Sequence, residues 1–331
     1  MISFVIPNLF STIALLGEQS SFPVLGRMLS KAKVEKSSYD NPYDLVSDVF
    51  SIPNSSKCHF SGVASLLELG ETGSKPSVWT CIASPVIVSP NRDQLDLDQY
   101  TGFDISHDEA ISFCDEFNDY FKEDGINFTY TDSGKWFCHA ETEFETPDTS
   151  PRYIEGKNIA PHIPQGKSGA MWRRTFNEMQ LLLHHSKTNQ KRSQSGKAEI
   201  NSIWFWGGGV DGAVDEETVV LPENEKTTIF TDDCFSYGLA LSCKYSTEDF
   251  TSAFETLKLN KQNIFIPNLE LVNWLEWDEY YFAPALKALK QGKIDSIVFY
   301  LDLNKKFTLH KKDLLRFWLA KKDVTDFIDT K

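Results

Sequence analysis

The sequence predicts an α/β fold with a smaller α+β unit in its middle. Short apolar runs alternate with stretches of helical periodicity along most of the chain, as strands and helices laid down in turn would. One stretch, 78–139, reads instead as strand, helix, strand, strand. The 331 residues are 41% hydrophobic and include 8 Trp and 24 Phe, enough to fill one large core or two modest ones.

Residues 2–6 form a buried first strand that stops at Pro7-Asn8, and a short helix follows to residue 16. Residues 18–57, rich in Ser, Lys, Asn, Asp and Pro, read as helix and loop around Tyr43-Asp44-Leu45-Val46. Gly70, Gly73 and Pro76 mark a domain junction, beyond which 78–88 is one or two buried strands. The clearest helix spans 107–124. Ser106 caps it, Glu109 completes a capping box, Gly125 stops it, and Ala110, Phe113, Cys114, Phe117, Tyr120 and Phe121 recur at helical spacing. Ile126, Phe128 and Tyr130 alternate as a strand, 131–134 turns the chain, and 136–139 returns. The Pro- and Gly-rich stretch 144–170 is loop. A second helix occupies 171–185, a polar segment follows, and a strand at 200–206 runs into Gly207-Gly208-Gly209. Strands are expected again at 227–231, 263–266, 297–301 and 307–309, with a helix opened by Pro284 and ended by Gly292, and a last helix near 311–321. No internal repeat is apparent.

Net charge is −14, which argues against general binding to nucleic acid or to an anionic membrane, since both need a cationic surface. A local basic site escapes that argument. The six cysteines form no C-x-x-C pair and no zinc-finger spacing, and read as buried apolar side chains. The N-terminus has no basic n-region and Pro7-Asn8 breaks its apolar run, so it is not a signal peptide; no stretch approaches a membrane span. A cytoplasmic location is expected.

The informative block is 172–209. On its helix, Trp172, Phe176, Met179 and Leu183 form a buried stripe, and Arg173, Asn177, Gln180 and His184 form a polar ridge about 100° round the axis. From 173 to 197 stand six Lys or Arg and one acid, Glu178. Such local contrast suits a phosphate or carboxylate pocket, for which Arg offers a bidentate fork; a basic surface loop without a ligand is the equal alternative. The strand entering three glycines would let backbone N–H groups approach an anion, although a tight turn is the commoner explanation. The candidate ligand-binding residues are therefore Arg173, Asn177, Gln180, His184, Asn189, Arg192, Asn201, Gly207, Gly208 and Gly209. Trp204 and Trp206 are expected in the core. His184 and His185 are adjacent on a helix, point apart and cannot jointly hold one metal. Asp232 and Asp233 follow a strand and are weak metal candidates, with a helix N-cap the more probable role. No familiar catalytic motif appears.

Trp172-Arg173, Asn177-Glu178-Met179-Gln180, Leu183-His184, Asn189, Arg192, Gly196 and the run Asn201 to Gly209 together resemble a bacterial family of RpfE-type, phosphoglycerate mutase-related regulatory proteins. The likeness continues through Thr231–Asp233, Gly238–Ala240 and Leu314–Trp318, with Pro85-Val86 and Arg92-Asp93 upstream. More distantly the order is similar to archaeal-type cofactor-independent phosphoglycerate mutases of the alkaline phosphatase superfamily, whose N-x-x-R…G…N segment and glycine turn match Asn189, Arg192, Gly196, Asn201 and Gly207–Gly209. This resemblance implies an alkaline-phosphatase-like central sheet flanked by helices, built from 1–75 and 200–331, with an α+β domain inserted over 76–199.

The chain departs from those enzymes at their metal and nucleophile motifs. Its first strand leads to Pro7-Asn8 where they have Asp-Gly, no D-x-x-G-H follows downstream, and Ile87 and Ser186 stand where the regulatory family has His. The expectation is a non-catalytic phosphoglycerate-mutase-like regulatory or binding protein that retains an anion pocket. The alternative is a metal-dependent phosphomutase or phosphatase using Asp232, Asp233 and His184. A third possibility is an interaction protein whose Trp-rich block is core. Neither a cofactor nor a metal is expected. The expected partners are a small phosphorylated or carboxylate metabolite and a protein, with no nucleic acid and no membrane.

Overall fold

The computed structural model describes residues 1–16, 22–39, 41–50, 62–92, 94–209, 227–248, 250, 262–268, 276–316, 318–320 and 322–328. In chain order the described strands are β1 (Ile2–Val5), β2 (Lys33–Lys36), β3 (Trp79–Asn91), β4 (Gln94–Gln99), β5 (Ile126–Tyr130), β6 (Trp136–Ala140), β7 (Lys157–Asn158), β8 (Ser202–Gly209), β9 (Thr227–Thr231), β10 (Ser246–Glu248), β11 (Gln262–Ile266), β12 (Ser296–Tyr300) and β13 (Lys305–His310). The α-helices are α1 (Leu9–Leu16), α2 (Pro23–Leu29), α3 (Pro42–Val49), α4 (Val63–Thr72), α5 (His107–Phe121), α6 (Ala170–His185), α7 (Lys187–Gln194), α8 (Cys234–Ser242) and α9 (Ala283–Gln291). They form two compact units, Met1–Ser55 with Val214–Lys331, and Ser56–Ala213.

The first unit is a seven-stranded sheet in the order β10-β9-β11-β1-β12-β13-β2. From β10 to β12 the strands are parallel; β13 and β2 close the far edge antiparallel. Parallel strands covered on both faces must be apolar throughout, and every residue of β1, β9 and β12 is buried. Their core is aromatic: the Phe4 ring lies 5.1 Å from Phe265, 5.2 Å from Phe282 and 5.5 Å from Phe299. The helix α2 has no side-chain cap of its own. Instead the buried carboxylate of Asp278, far along the chain, accepts the Val24 N–H at 2.9 Å and the Leu25 N–H at 2.8 Å. Burial pushes the pKa of Asp278 up, and those two N–H groups oppose the shift.

The second unit is an antiparallel sheet organised on β3. This 13-residue strand pairs with β6, β4 and β8, while β5 extends β6 and β7 extends β4. The capping box expected on α5 is present, with Glu109 N–H on Ser106 Oγ and Ser106 N–H on Glu109 Oε2. Its apolar stripe meets the sheet through Phe117 and Phe128, whose rings are 5.2 Å apart, and through Phe113 and Trp136 at 5.9 Å.

The α/β class, with a central sheet flanked by helices and a smaller α+β unit, is the fold observed. Four expectations differ in detail. The triple glycine is the end of β8, not a turn, because Thr80 pairs with Gly209 across the ladder. That ladder, from Val86–Ser202 to Thr80–Gly209, binds β8 to β3, so β8 and α4 lie in the unit of 56–213, where residues 1–75 and 200–331 had been expected in the core. The polar segment after α6 holds the helix α7, which has no apolar period to announce it and starts on a Ser186 cap to Asn189 N–H. At the C-terminus only a 3-10 turn, Lys311–Leu315, replaces the helix expected over 311–321. Asp93 and Phe317, named in the resemblance, lie outside the described residues. Among the described residues no helix is long and apolar enough to cross a membrane.

Removal of the Asp278 carboxylate leaves two buried N–H groups at the start of α2 without their acceptor. Asp278→Ala is expected to lower unfolding free energy by about 2 kcal/mol in urea titrations; an unchanged midpoint would show that the cap contributes nothing.

Candidate functional site

The α6 helix buries the stripe that its sequence predicts: Trp172, Phe176, Met179 and Leu183 are each 3% exposed or less. The three tryptophans of the block are core, each with its indole N–H satisfied. Trp172 donates to Phe205 O at 2.9 Å, Trp204 to Thr149 O at 3.0 Å, and Trp206 to Ser84 Oγ at 3.0 Å.

The ten candidate ligand-binding residues separate into two sets. Asn177 and His184 are exposed on the outer ridge of α6, with Gln180 half-buried between them. Arg173, on the same ridge, donates to Pro164 O and, at 2.8 Å, to Gly166 O. The other set is bonded into the fold. Asn189 is buried, donates to Leu183 O at 2.9 Å and Ile200 O at 2.6 Å, and accepts Ile200 N–H at 3.0 Å. Asn201 clasps the edge of β3, accepting Val88 N–H at 2.8 Å and donating to Val88 O at 2.7 Å. The structure brings no member of the ridge into hydrogen-bonding contact with Asn189, Arg192 or Asn201.

The anions of this block come from the chain itself. Arg192 is 1% exposed; its Nε donates to Ala198 O at 3.1 Å, and its Nη1 donates to Asp104 O at 2.9 Å and pairs with Glu109 at 3.2 Å. Lys197 pairs with the same Glu109 and with Asp104, each at 3.2 Å. Arg174 is matched by Glu178 and Asp124. At the start of α7 the Glu116 carboxylate accepts both Thr188 N–H, at 3.0 Å, and Thr188 Oγ1–H, at 2.8 Å. Burial alone would raise the pKa of Glu109, but the Ser106 N–H, Lys197 and Arg192 outweigh it and hold the carboxyl below its usual range.

The glycines are occupied in the same way. Gly207 N–H donates to Pro147 O at 3.0 Å and Gly208 N–H to Thr146 Oγ1 at 2.8 Å. A Cβ on Gly208 would collide with the Trp79 ring, so the glycine admits an indole where an anion cradle was expected. Arg192, Asn189, Asn201 and the three glycines are bound into the frame of the second unit.

The weak metal candidates also have separate roles. Asp233 caps α8, accepting Ser236 N–H at 2.8 Å and Ser236 Oγ–H at 2.6 Å. Asp232 is exposed and accepts the Asn268 N–H at 2.5 Å. Asp302, beyond β12, accepts Asn304 and Lys305 N–H at 2.6 and 2.8 Å. These residues stand at the carboxyl ends of parallel strands, where ligands of open α/β sheets bind. The sequence reading passed over two others there. Ile-Pro-Asn occurs at 6–8 and again at 266–268, and so ends the neighbouring strands β1 and β11 in Asn8 and Asn268. That short repeat was the legible signal. Among the described residues no three His, Cys, Asp or Glu side chains stand as ligands to one cation.

A buried titratable pair in the second unit carried no signal in sequence, since its members are 71 residues apart. His139 Nδ1 lies 3.0 Å from Thr80 Oγ1, and its Nε2 lies 3.0 Å from Thr129 Oγ1 and 3.5 Å from Glu68 Oε1. Glu68 Oε2 is buried without a hydrogen-bond partner. Burial pushes the Glu68 carboxyl up to about 7, against the Thr80 hydroxyl, and burial lowers the His139 imidazole. Beside them Glu71 pairs with Lys135 at 3.0 Å.

No family model matches the chain. Part of it is 31% identical over 112 residues to the 2,3-bisphosphoglycerate-independent phosphoglycerate mutase from Methanosarcina mazei, covering 33% of this chain and 28% of that enzyme. The enzyme of the same description from Methanosarcina barkeri is 37% identical over 85 residues, or 26% of this chain and 20% of the relative. The chain is phosphoglycerate-mutase-like in part of its sequence. In fold it is similar to the PH0037 protein from Pyrococcus horikoshii, with a TM-score of 0.52 and 11% identity over 93% of this chain and 87% of that one. The matched stretches span less than a third of the curated relatives, so the relation to them is a partial similarity of sequence.

Two outcomes follow from the geometry. Arg192→Ala empties a buried guanidinium site and takes a donor from the Ala198 and Asp104 carbonyls, while Glu109 keeps Lys197, and is expected to cost about 3 kcal/mol in chemical denaturation, whereas His184→Ala, on the outer ridge, should stay within about 0.5 kcal/mol; equal effects would remove Arg192 from the frame. A carboxyl whose folded pKa is raised holds its proton more tightly when folded, so its contribution is full below its unfolded value and is lost as pH rises through about 7. The lowered His139 acts oppositely, losing stability as pH falls below its ordinary value, so the Glu68 effect is cleanest on the alkaline side. Stability is therefore expected to fall between about pH 6.5 and 8 by less than about 1 kcal/mol, and Glu68→Gln to flatten that slope. A wild-type slope retained in Glu68→Gln would assign it to other groups.

Proposed function

We propose that this chain is a non-catalytic, phosphoglycerate-mutase-like binding protein of the RpfE regulatory type. Its ligand, a small phosphorylated or carboxylate metabolite, is recognised at the carboxyl edge of the first unit's sheet. The observation that carries this reading is the chemistry of that edge. Asp233 is engaged as a helix cap and Asp232 holds the Asn268 backbone, while two neighbouring strands end in the amides Asn8 and Asn268. A carboxylate at such an edge attracts a divalent cation, and the cation is what neutralises charge and activates a nucleophile in phosphoryl transfer. An amide donates N–H bonds directly to an anionic oxygen and cannot replace that metal chemistry. The mutase-like relation supports phosphoglycerate as the first ligand to try, and the commitment of Arg192 and the glycines to the fold moves the site away from residues 172–209.

Thermal melts with 3-phosphoglycerate test the proposal. Near a hundredfold excess over Kd the ligand should raise Tm by about 5 °C, Asn8→Ala and Asn268→Ala should abolish the rise, and EDTA should leave it intact. Two stoichiometric metals together with EDTA-sensitive mutase or phosphatase turnover would overturn it in favour of the enzyme with a rearranged site.

A further inference from the structure

Within the first unit, the C-terminal stretch reverses the charge of the chain. Between 305 and 322 stand seven Lys or Arg and one acid, Asp313, in a protein of net charge −14. The edge strand β2 brings Lys33 and Lys36 against this stretch, and its register sets Lys36 directly opposite Lys305. Like charges facing each other across a ladder cost stability, and Lys305 is held here by donating to Phe327 O at 2.9 Å, a neutral carbonyl that leaves its charge in place. Lys31 donates to Leu314 O at 2.6 Å, Lys306 lies 5.6 Å from the Tyr300 ring centroid, and Lys322 lies 5.7 Å from that of Phe327. Contacts of this kind orient an ammonium group without cancelling its charge. Asp313 is matched by Arg316 at 2.9 Å and Glu35 by Lys33 at 2.7 Å, which leaves the surrounding lysines in clear excess.

Large apolar side chains project beside those cations. Leu315 is 73% exposed, Trp318 67% and Leu319 39%, immediately after Lys311 and Lys312 on the exposed 3-10 turn. Arg316 anchors this segment to the start of β2 by donating to Lys31 O at 3.1 Å. Two chemistries have to be satisfied together: a dense positive charge, and an indole with two isobutyl groups held in water. An acidic protein would meet the first alone. Single-stranded nucleic acid would meet the charge and stack on the indole, but it offers no hydrocarbon to the leucines. An anionic lipid surface meets all of them, because indoles settle at the headgroup level, leucines reach the acyl boundary, and lysines bind lipid phosphate.

We propose that the edge formed by β2 and the segment 311–319 docks on an anionic lipid surface, with Leu315, Trp318 and Leu319 in the headgroup layer and Lys311 and Lys312 on lipid phosphates. The chain would lie on the bilayer without crossing it. The expectation of no membrane partner rests on net charge, and a local patch of opposite sign escapes that argument.

Co-sedimentation of the full chain with vesicles of phosphatidylcholine, with and without phosphatidylglycerol, tests the docking. Binding is expected only to the anionic vesicles and should fall about tenfold or more on moving from low to high salt. The double change Lys311→Glu and Lys312→Glu should weaken it at least about tenfold, and Trp318→Ser should weaken it as well, while far-ultraviolet melting curves of these exposed-site variants match the parent. Equal partitioning onto neutral and anionic vesicles would overturn the proposal, as would variants that bind like the parent. Retention on heparin or polyglutamate without any vesicle binding would also overturn it, assigning the patch to a soluble polyanion.

Discussion

A guanidinium that is 1% exposed must find its counter-charges inside the fold, and the second unit is arranged around that requirement at Arg192. Its partners come from three places: the Glu109 carboxylate on the first turn of α5, the Asp104 carbonyl just ahead of it, and the Ala198 carbonyl on the approach to β8. Burying a charge without partners would cost several kcal/mol, so these contacts fix how α5, α7 and β8 meet. Asn189 and Asn201 extend the same frame. Each uses a side-chain amide as a backbone would, closing Ile200 and Val88 on both their donor and acceptor sides. The glycines complete it by letting the Trp79 ring reach β8.

The first unit depends on a different constraint. Its parallel strands β1, β9 and β12 are buried along their whole length, and the polar residues they carry, such as Ser3, Thr228 and Ser296, are enclosed with them, so exposed polar groups gather at the strand ends. What stands at the carboxyl edge is therefore the unit's main functional variable. Amides close β1 and β11, and the carboxylates nearby are held by backbone donors from Asn268, Ser236, Asn304 and Lys305.

Local rules made much of the fold legible. The Ser106–Glu109 box and the Phe-rich stripe of α5 are satisfied within a few residues of themselves, and each appears as the sequence predicts. The apolar strands β1, β3, β8, β9, β11 and β12 were readable because runs of that length have nowhere else to go, whereas the polar strands β2, β4, β7 and β10 carry no such run and were not. The helix α7 was not: its eight residues carry no apolar period, and it is held by a serine cap, the carboxylate of Glu116 and the burial of Asn189 and Arg192. The boundary of the inserted unit was displaced for a related reason. Whether β8 joins one sheet or another is decided by its register with β3, more than a hundred residues earlier in the chain, and no local pattern records it. The pairing of Glu68 with His139 and the cap that Asp278 places on α2 were equally hidden, since each joins segments distant in sequence.

Charge contrast had opposite meanings in the two places where it occurs, and the difference is physical. In 173–197 three of the six cations are followed through the structure to acids of the same unit, Arg192 and Lys197 to Glu109 and Arg174 to Asp124 and Glu178, and Arg173 is held by two carbonyls. A basic run matched in this way is a scaffold whatever its net count, because its field is cancelled within a few ångströms. In 305–322 Arg316 pairs with Asp313, but Lys305 meets a carbonyl, Lys306 and Lys322 lie near rings, and the large apolar side chains beside them are exposed. A sequence reports only the sum of charges in a window. Whether that sum marks a site depends on where the counter-charges are, and those are fixed by tertiary structure.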